Sequence, residues 1–252
     1  MIISHKYKYV FIGLPFSASS AISKELIEQY DGEPILEKHS NAYELKTQTS
    51  IDLNEYRLFA CIRNPIDIAF SQYSKFLNNP GKVFETKKYF RENGGHITKA
   101  DRKWFRRIQL GLSFDEFLKG KFKLPVDTLY SYNHKYLDFV INFHDLNDSF
   151  KECIKSIGLT PKRDLPVFNK TGKKIEVTFP TKYPYAFKPF LATYGHFMNV
   201  SVQCNPFYLA LFKLLRLLRI INWKRRFSRM KHDIEAYKSD KYYQNVAKKR
   251  NE

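Results

Sequence analysis

A chain of 252 residues that is 43% hydrophobic and 16% aromatic can build one substantial core, which excludes an intrinsically disordered composition. A net charge of +18 calls for an anionic partner: phosphate, sulfate, nucleic acid or membrane headgroups. The charge is uneven, because residues 213–252 carry 13 Lys+Arg against 4 Asp+Glu, half of the whole excess.

The opening "MIISHKYKYV" has no apolar signal core and nothing long enough to cross a bilayer. "KYVFIGL" (8–14) reads as a short buried strand, rich in aromatic and β-branched residues. A run of small residues follows in "PFSASS" (15–20). "SAISKELIEQY" (20–30) then sets Ile22, Leu26 and Tyr30 on one helical face. "RLFACI" (57–62) is a second buried strand. It stops at Arg63-Asn64-Pro65, and "PIDIAFSQYSKFL" (65–77) continues as a helix with proline in its first turn. Strands alternating with helices predict an α/β fold around a parallel sheet.

Residues 80 to 125 are charged and aromatic, and read as loops and helices laid over that sheet. "YLDFVINF" (136–143) predicts another strand, and "LNDSFKECIKSIGL" (146–159) an amphipathic helix ending at Gly158. A Pro- and Lys-rich loop spans 161–174, and 175–205 gives no clear pattern. "PFYLALFKLLRLLRIINWKRRF" (206–227) predicts a helix with Lys213, Arg216 and Arg219 on one stripe and a wide apolar face. Its apolar run is interrupted every three residues, so it should not span a membrane. It suits a helix in the headgroup plane, with Trp223 and Lys224-Arg225-Arg226 at the interface. A core helix with a solvated basic edge fits the same pattern. The division expected is an α/β domain over 1–205 and a basic, amphipathic helical extension over 206–252, with an anionic membrane surface meeting 206–231.

Cys61, Cys153 and Cys204 are odd in number and lack metal-pair spacing, so three reduced thiols in a cytoplasmic protein are expected, with no metal site.

Two strand-to-helix turns carry the polar chemistry. In a parallel sheet both open at the carboxyl ends of strands, where ligands of α/β folds bind. At 15–20, small residues let backbone N–H groups approach an anion in front of a helix N-terminus, and Ser17, Ser19 and Ser20 add hydroxyl donors. This is not the Walker pattern, and taken alone it also fits a plain turn with a serine cap. At 63–71, Arg63 offers a planar fork for phosphate and Ser71 follows eight residues later. An arginine salt bridge and a serine on a helix fit that turn equally well on its own.

Together and in this order, the two turns resemble the sulfotransferases that use 3′-phosphoadenosine 5′-phosphosulfate. That family carries a P-K-[ST]-[GA]-[ST]-[ST] loop after its first strand and an R-[ND]-P turn with a serine eight residues beyond the arginine. "PFSASS" and "RNPIDIAFSQYSKF" take these places. The Lys38-His39 pair in "EKHSNAYEL" is similar to the K-H pair of the carbohydrate-type and bacterial branch. "FVINFHDLNDSFKECIKSIGL" and "LPVFNKT" resemble later stretches, so the likeness covers about residues 8 to 172. Two departures stand out: Phe16 sits where the family has its loop lysine, and His144 where it usually has a carboxylate.

The resemblance implies a P-loop-like three-layer sandwich with a central parallel sheet flanked by helices. It implies that Ser17, Ala18, Ser19 and Ser20 cradle the 5′-phosphosulfate, that Arg63 and Ser71 hold the 3′-phosphate, and that Lys170 adds charge to the nucleotide. His39 is the implied base for an acceptor hydroxyl, and Lys38 or Lys24 a source of the charge that Phe16 lacks. The acceptor expected is a carbohydrate or glycolipid at a membrane surface. Alternatives are a catalytically impaired relative that binds a nucleotide or sulfated glycan, and a basic adaptor. No nucleic-acid module is recognisable, so polynucleotide binding is not expected.

Overall fold

The computed structural model describes residues 1–167 and 184–230. Its centre is a five-stranded sheet in the order β3-β1-β2-β4-β5. The strands are β1 (Ile2–Ser4), β2 (Tyr9–Ile12), β3 (Glu33–Pro34), β4 (Arg57–Ile62) and β5 (Phe139–Asn142). β2, β4 and β5 are parallel neighbours, with Ile12 beside Ala60 and Ile62 beside Asn142. β1 runs antiparallel to both β2 and β3, so the sheet is mixed rather than wholly parallel. The expected parallel sheet is thereby corrected to a parallel centre with an antiparallel margin. The sheet exists because β2 and β4 are continuous apolar runs buried on both faces, the pattern parallel strands require.

Alternation along the strands divides the core in two. Ile2, Tyr9, Phe11, Phe59, Cys61 and Ile141 face one side, where α1 (Ser19–Gln29) and α7 (Leu146–Ser156) cover them with Ile22, Leu26, Phe150 and Ile154. Ile3, Val10, Ile12, Leu58, Ala60 and Ile62 face the other. That side is covered by α2 (Ala42–Gln48), α3 (Pro65–Asn78), α4 (Lys99–Gln109), α5 (Phe114–Lys121), α6 (Tyr130–Asn133) and α8 (Lys188–Tyr194). The last helix, α9 (Pro206–Met230), joins this second core through Phe212.

The basic stripe of α9 is only partly solvated: Lys213 and Arg219 are exposed, while Arg216 is half-buried. Arg216 donates to the Tyr194 hydroxyl at 2.6 Å, and Arg219 lies 4.0 Å from a carboxylate oxygen of Asp127. Phe207, Leu214, Leu217, Leu218 and Ile221 are exposed as well. Two guanidinium groups find buried partners on the body of the protein, and that fixes the helix with its apolar stripe outward. Among the described residues, no helix is long and apolar enough to cross a membrane.

Candidate functional site

The site lies at the carboxyl ends of β2, β4 and β5. Because these strands are adjacent and parallel, the segments that follow them converge. After β2, the chain turns through residues 13–18 before α1 begins. Phe16 (φ 60°) and Ala18 (φ 55°) both adopt the left-handed conformation, while Pro15 and Ser17 do not. Left-handed residues at alternate positions are one half of the αR–αL alternation by which an anion-binding nest turns successive backbone N–H groups toward a common concavity. For side chains other than glycine the left-handed conformation costs about 1–2 kcal/mol per residue, and strain of this size concentrates at functional sites.

The N-terminus of α1 has no side-chain cap and no acidic residue in its first turn. Its positive end is therefore uncompensated by its own sequence. The hydroxyls divide their work. Ser17 is buried and donates to the Leu14 carbonyl at 2.8 Å, closing the turn. In this arrangement the Ser17 hydroxyl is engaged within the turn, as a buried hydroxyl is held by the nearest acceptor. Ser19 is buried in the first turn of α1. Ser20 accepts a 2.9 Å hydrogen bond from Lys38 Nζ.

Lys38 arrives from the loop between β3 and α2. That loop lies directly against the end of β2: a Cβ on Gly13 would come within 2.9 Å of the Lys38 carbonyl oxygen, so glycine permits the approach. His39 Nδ1 lies 2.6 Å from the Gly13 carbonyl oxygen. A carbonyl only accepts, so Nδ1 carries the hydrogen and Nε2 is the basic nitrogen of the neutral ring. Beyond the loop, α2 starts with a reciprocal cap between Asn41 and Glu44. Burial pushes the Glu44 carboxyl up to about 7. Lys24, the other lysine near this end of α1, pairs with Glu28 at 3.5 Å.

At the second turn, Asn64 caps α3 by accepting from the Ile66 amide, and Pro65 occupies the first helical position. Arg63 Nη1 donates to the Phe16 carbonyl at 2.9 Å, stapling the two turns together. Its guanidinium also lies 4.0 Å from the centre of the Phe143 ring, at the end of β5. Burial pushes the Arg63 pKa down, and nearby Asp67 pushes back. Burial likewise raises the Asp67 carboxyl above its ordinary value, with Arg63 and His144 opposing. His144 Nε2 stands 3.3 Å from Asp67 Oδ2. Ser71 follows Asp67 by one helical turn and so lies further along the same face of α3.

Beneath the first turn is a cavity of about 190 Å³, lined by Leu14 to Ser17, Cys61 to Arg63, the first turns of α3 and residues 122 and 126–130. Arg63 Nε, Gln72 Oε1 and Tyr130 OH, all from lining residues, are buried without a hydrogen-bond partner.

The structure thus brings together Ser17, Ala18, Ser19, Ser20, Lys38, His39 and Arg63, with Ser71 one turn of α3 beyond Asp67. Lys170 lies outside the described residues. Asp67, Gln72 and Tyr130 were missed. Asp67 carried a usable signal, an acidic residue in the first turn of a helix that begins just after an arginine; Gln72 and Tyr130 carried none. Cys61 and Cys153 are buried free thiols, and burial raises both pKa values. Among the described residues, no group of three or more His, Cys, Asp or Glu could hold a metal ion. Comparison with protein-family models, curated proteins and solved structures finds no match to this chain.

Proposed function

We propose that the chain is a sulfotransferase of the 3′-phosphoadenosine 5′-phosphosulfate-dependent kind, with the two turns as its nucleotide clamp. The observation that carries this reading is the Lys38 ammonium at the Ser20 hydroxyl, beside an uncapped helix N-terminus. A cation has returned to the cradle that Phe16 leaves without one. Helices on both faces of the sheet support a three-layer, P-loop-like arrangement.

In this reading the 5′-phosphosulfate meets the backbone N–H groups of 16–20 and Lys38. Arg63 holds the cradle against the second turn and, with Ser71 and Lys170, faces the 3′-phosphate. The acceptor oxygen attacks sulfur as the bond from sulfur to the bridging phosphate oxygen breaks. The hydroxyl proton passes to His39 Nε2, and Lys38 balances the charge that grows on the leaving phosphate. The acceptor proposed is a hydroxyl of a carbohydrate or glycolipid. The outward apolar stripe of α9, together with the basic 213–252 segment, supports work at an anionic membrane surface on the cytoplasmic side. Transfer of radiolabelled sulfate to a glycan panel tests the enzyme reading, and absence of transfer to every acceptor sinks it.

Phe16 favours a second reading, a relative that binds the nucleotide without turnover. Calorimetry with 3′-phosphoadenosine 5′-phosphate separates the two. Binding without transfer, unchanged by Phe16→Lys, supports the binder; transfer that appears in Phe16→Lys makes the wild type an impaired enzyme.

A further inference from the structure

The cavity under the first turn has the features of a ligand site in its own right. Native interiors rarely leave polar atoms unpaired, yet Arg63 Nε, Gln72 Oε1 and Tyr130 OH meet this condition around one void. Tyr130 is 1% exposed, so bulk water does not serve its hydroxyl. Burial also raises its pKa, which keeps the phenol protonated and able to donate. Clustering of this kind places the missing partner inside the cavity.

Size and chemistry narrow that partner. A void of about 150 Å³ takes one benzene ring, and this one holds about 190 Å³. Ser17, Asp127 and Thr128 add polar lining, but most of the remaining wall is apolar, among it Leu14, Ile62, Ile68, Ala69 and Val126. A sugar ring would leave most of its hydroxyls facing carbon. A single hydroxyl, by contrast, donates and accepts at once, which matches an acceptor at Gln72 and donors at Tyr130 and Arg63. Phe16, 37% exposed and also lining the cavity, adds an aromatic wall.

We propose that this cavity binds one apolar ring carrying a hydroxyl, a phenol-class ligand, with the hydroxyl between Gln72 Oε1 and Tyr130 OH and the ring against Phe16 and Ile68. The site needs no nucleotide and stands independently of sulfuryl transfer.

Fluorine NMR titration of the full chain with 4-fluorophenol and with fluorobenzene tests it. The phenol binds saturably and about ten-fold more tightly than fluorobenzene, the yield of one or two hydrogen bonds. Gln72→Leu removes that preference. Because it also deletes an unpaired buried oxygen, it raises the melting temperature of the ligand-free protein by about 2–4 °C. Ala69→Leu fills the void and abolishes binding of both probes, and the Gln72→Leu comparison stands even where Ala69→Leu does not fold. Equal affinity for the two probes, no saturable binding of either, or a preference that survives Gln72→Leu overturns the proposal.

Discussion

The two strand–helix turns lie side by side, at the ends of β2 and β4, and handle charge in opposite ways. At the second turn, charge sits on side chains and is matched on the spot: Arg63 has the Phe16 carbonyl, Asp67 and the Phe143 ring around it. At the first turn, charge sits on the backbone and is unmatched: α1 has neither a capping side chain nor an acidic residue in its first turn. The first turn is therefore where an anion gains most, since backbone donors stand ready and no internal partner must be displaced. Arg63 acts first as the staple that keeps the strained loop in place. The cation beside the first turn comes from a third element, the loop that delivers Lys38.

Breaking that last link has the largest expected effect. Lys38→Met leaves the fold intact, because Lys38 is partly exposed and lies in a loop, but it removes the charge beside the cradle. Under the sulfotransferase reading, single-turnover transfer of radiolabelled sulfate falls on the order of 10²-fold. An unchanged rate would return the role of the cation to another lysine.

Next comes the cap that positions this loop. The buried Glu44 carboxyl titrates near 7, above an ordinary value of 4.5, so the folded state holds its proton more tightly than the unfolded chain does. The stability it contributes is fully present below about pH 4.5 and is lost as pH rises through about 7, on the order of 3 kcal/mol in all. Glu44→Gln keeps a side chain able to cap and has nothing to titrate. Urea melts between pH 5 and 8 should therefore slope downward for the wild type and run flatter for the variant. Parallel slopes would mean that Glu44 is ionised throughout.

Arg63→Ala tests the staple. Hydrogen bonds to charged groups contribute about 1.5–3 kcal/mol, so a loss of about 2 kcal/mol in denaturant melts is expected and, under the sulfotransferase reading, weaker binding of 3′-phosphoadenosine 5′-phosphate. Arg63→Lys recovers only part, because an ammonium keeps the charge near Asp67 but not the fork that reaches Phe16. Full recovery by lysine would make the contact one of charge alone.

What the sequence disclosed follows the same contrast. The buried strand over 57–62 appears at those residues, and helices appear within one or two residues of 20–30 and 65–77, because local periodicity and a proline at the first helical position determine them. β1 was not foreseen: three apolar residues followed by "SHKYK" are too few for a pattern, and the strand forms only by pairing with β2 and β3. The Lys38–Ser20 contact depends on Gly13 having no Cβ and on His39 meeting its carbonyl, a long-range packing fact no spacing encodes. Whether the α9 apolar stripe faces outward or into the core was left open for a similar reason, since the partners of Arg216 and Arg219 are Tyr194 and Asp127, far away in sequence.

The smallest effects compare the two turns by the sign of a change at each helix start. Ala18 precedes α1 in the left-handed conformation and gives no side-chain cap. Ala18→Gly relieves the strain of its Cβ but frees the unfolded chain, leaving a net gain of about 0.5–1 kcal/mol. The backbone N–H groups keep their directions, so anion affinity stays the same. Asn64 precedes α3 and its side chain accepts from the Ile66 amide at 3.0 Å, so Asn64→Ala forfeits a cap and costs about 1 kcal/mol. Paired denaturant melts measure both changes. Opposite signs mean that the first turn holds its geometry at a cost in stability while the second is stabilised by its own side chain. A loss at both positions would mean that the first turn is unstrained and that its shape needs no ligand to account for it.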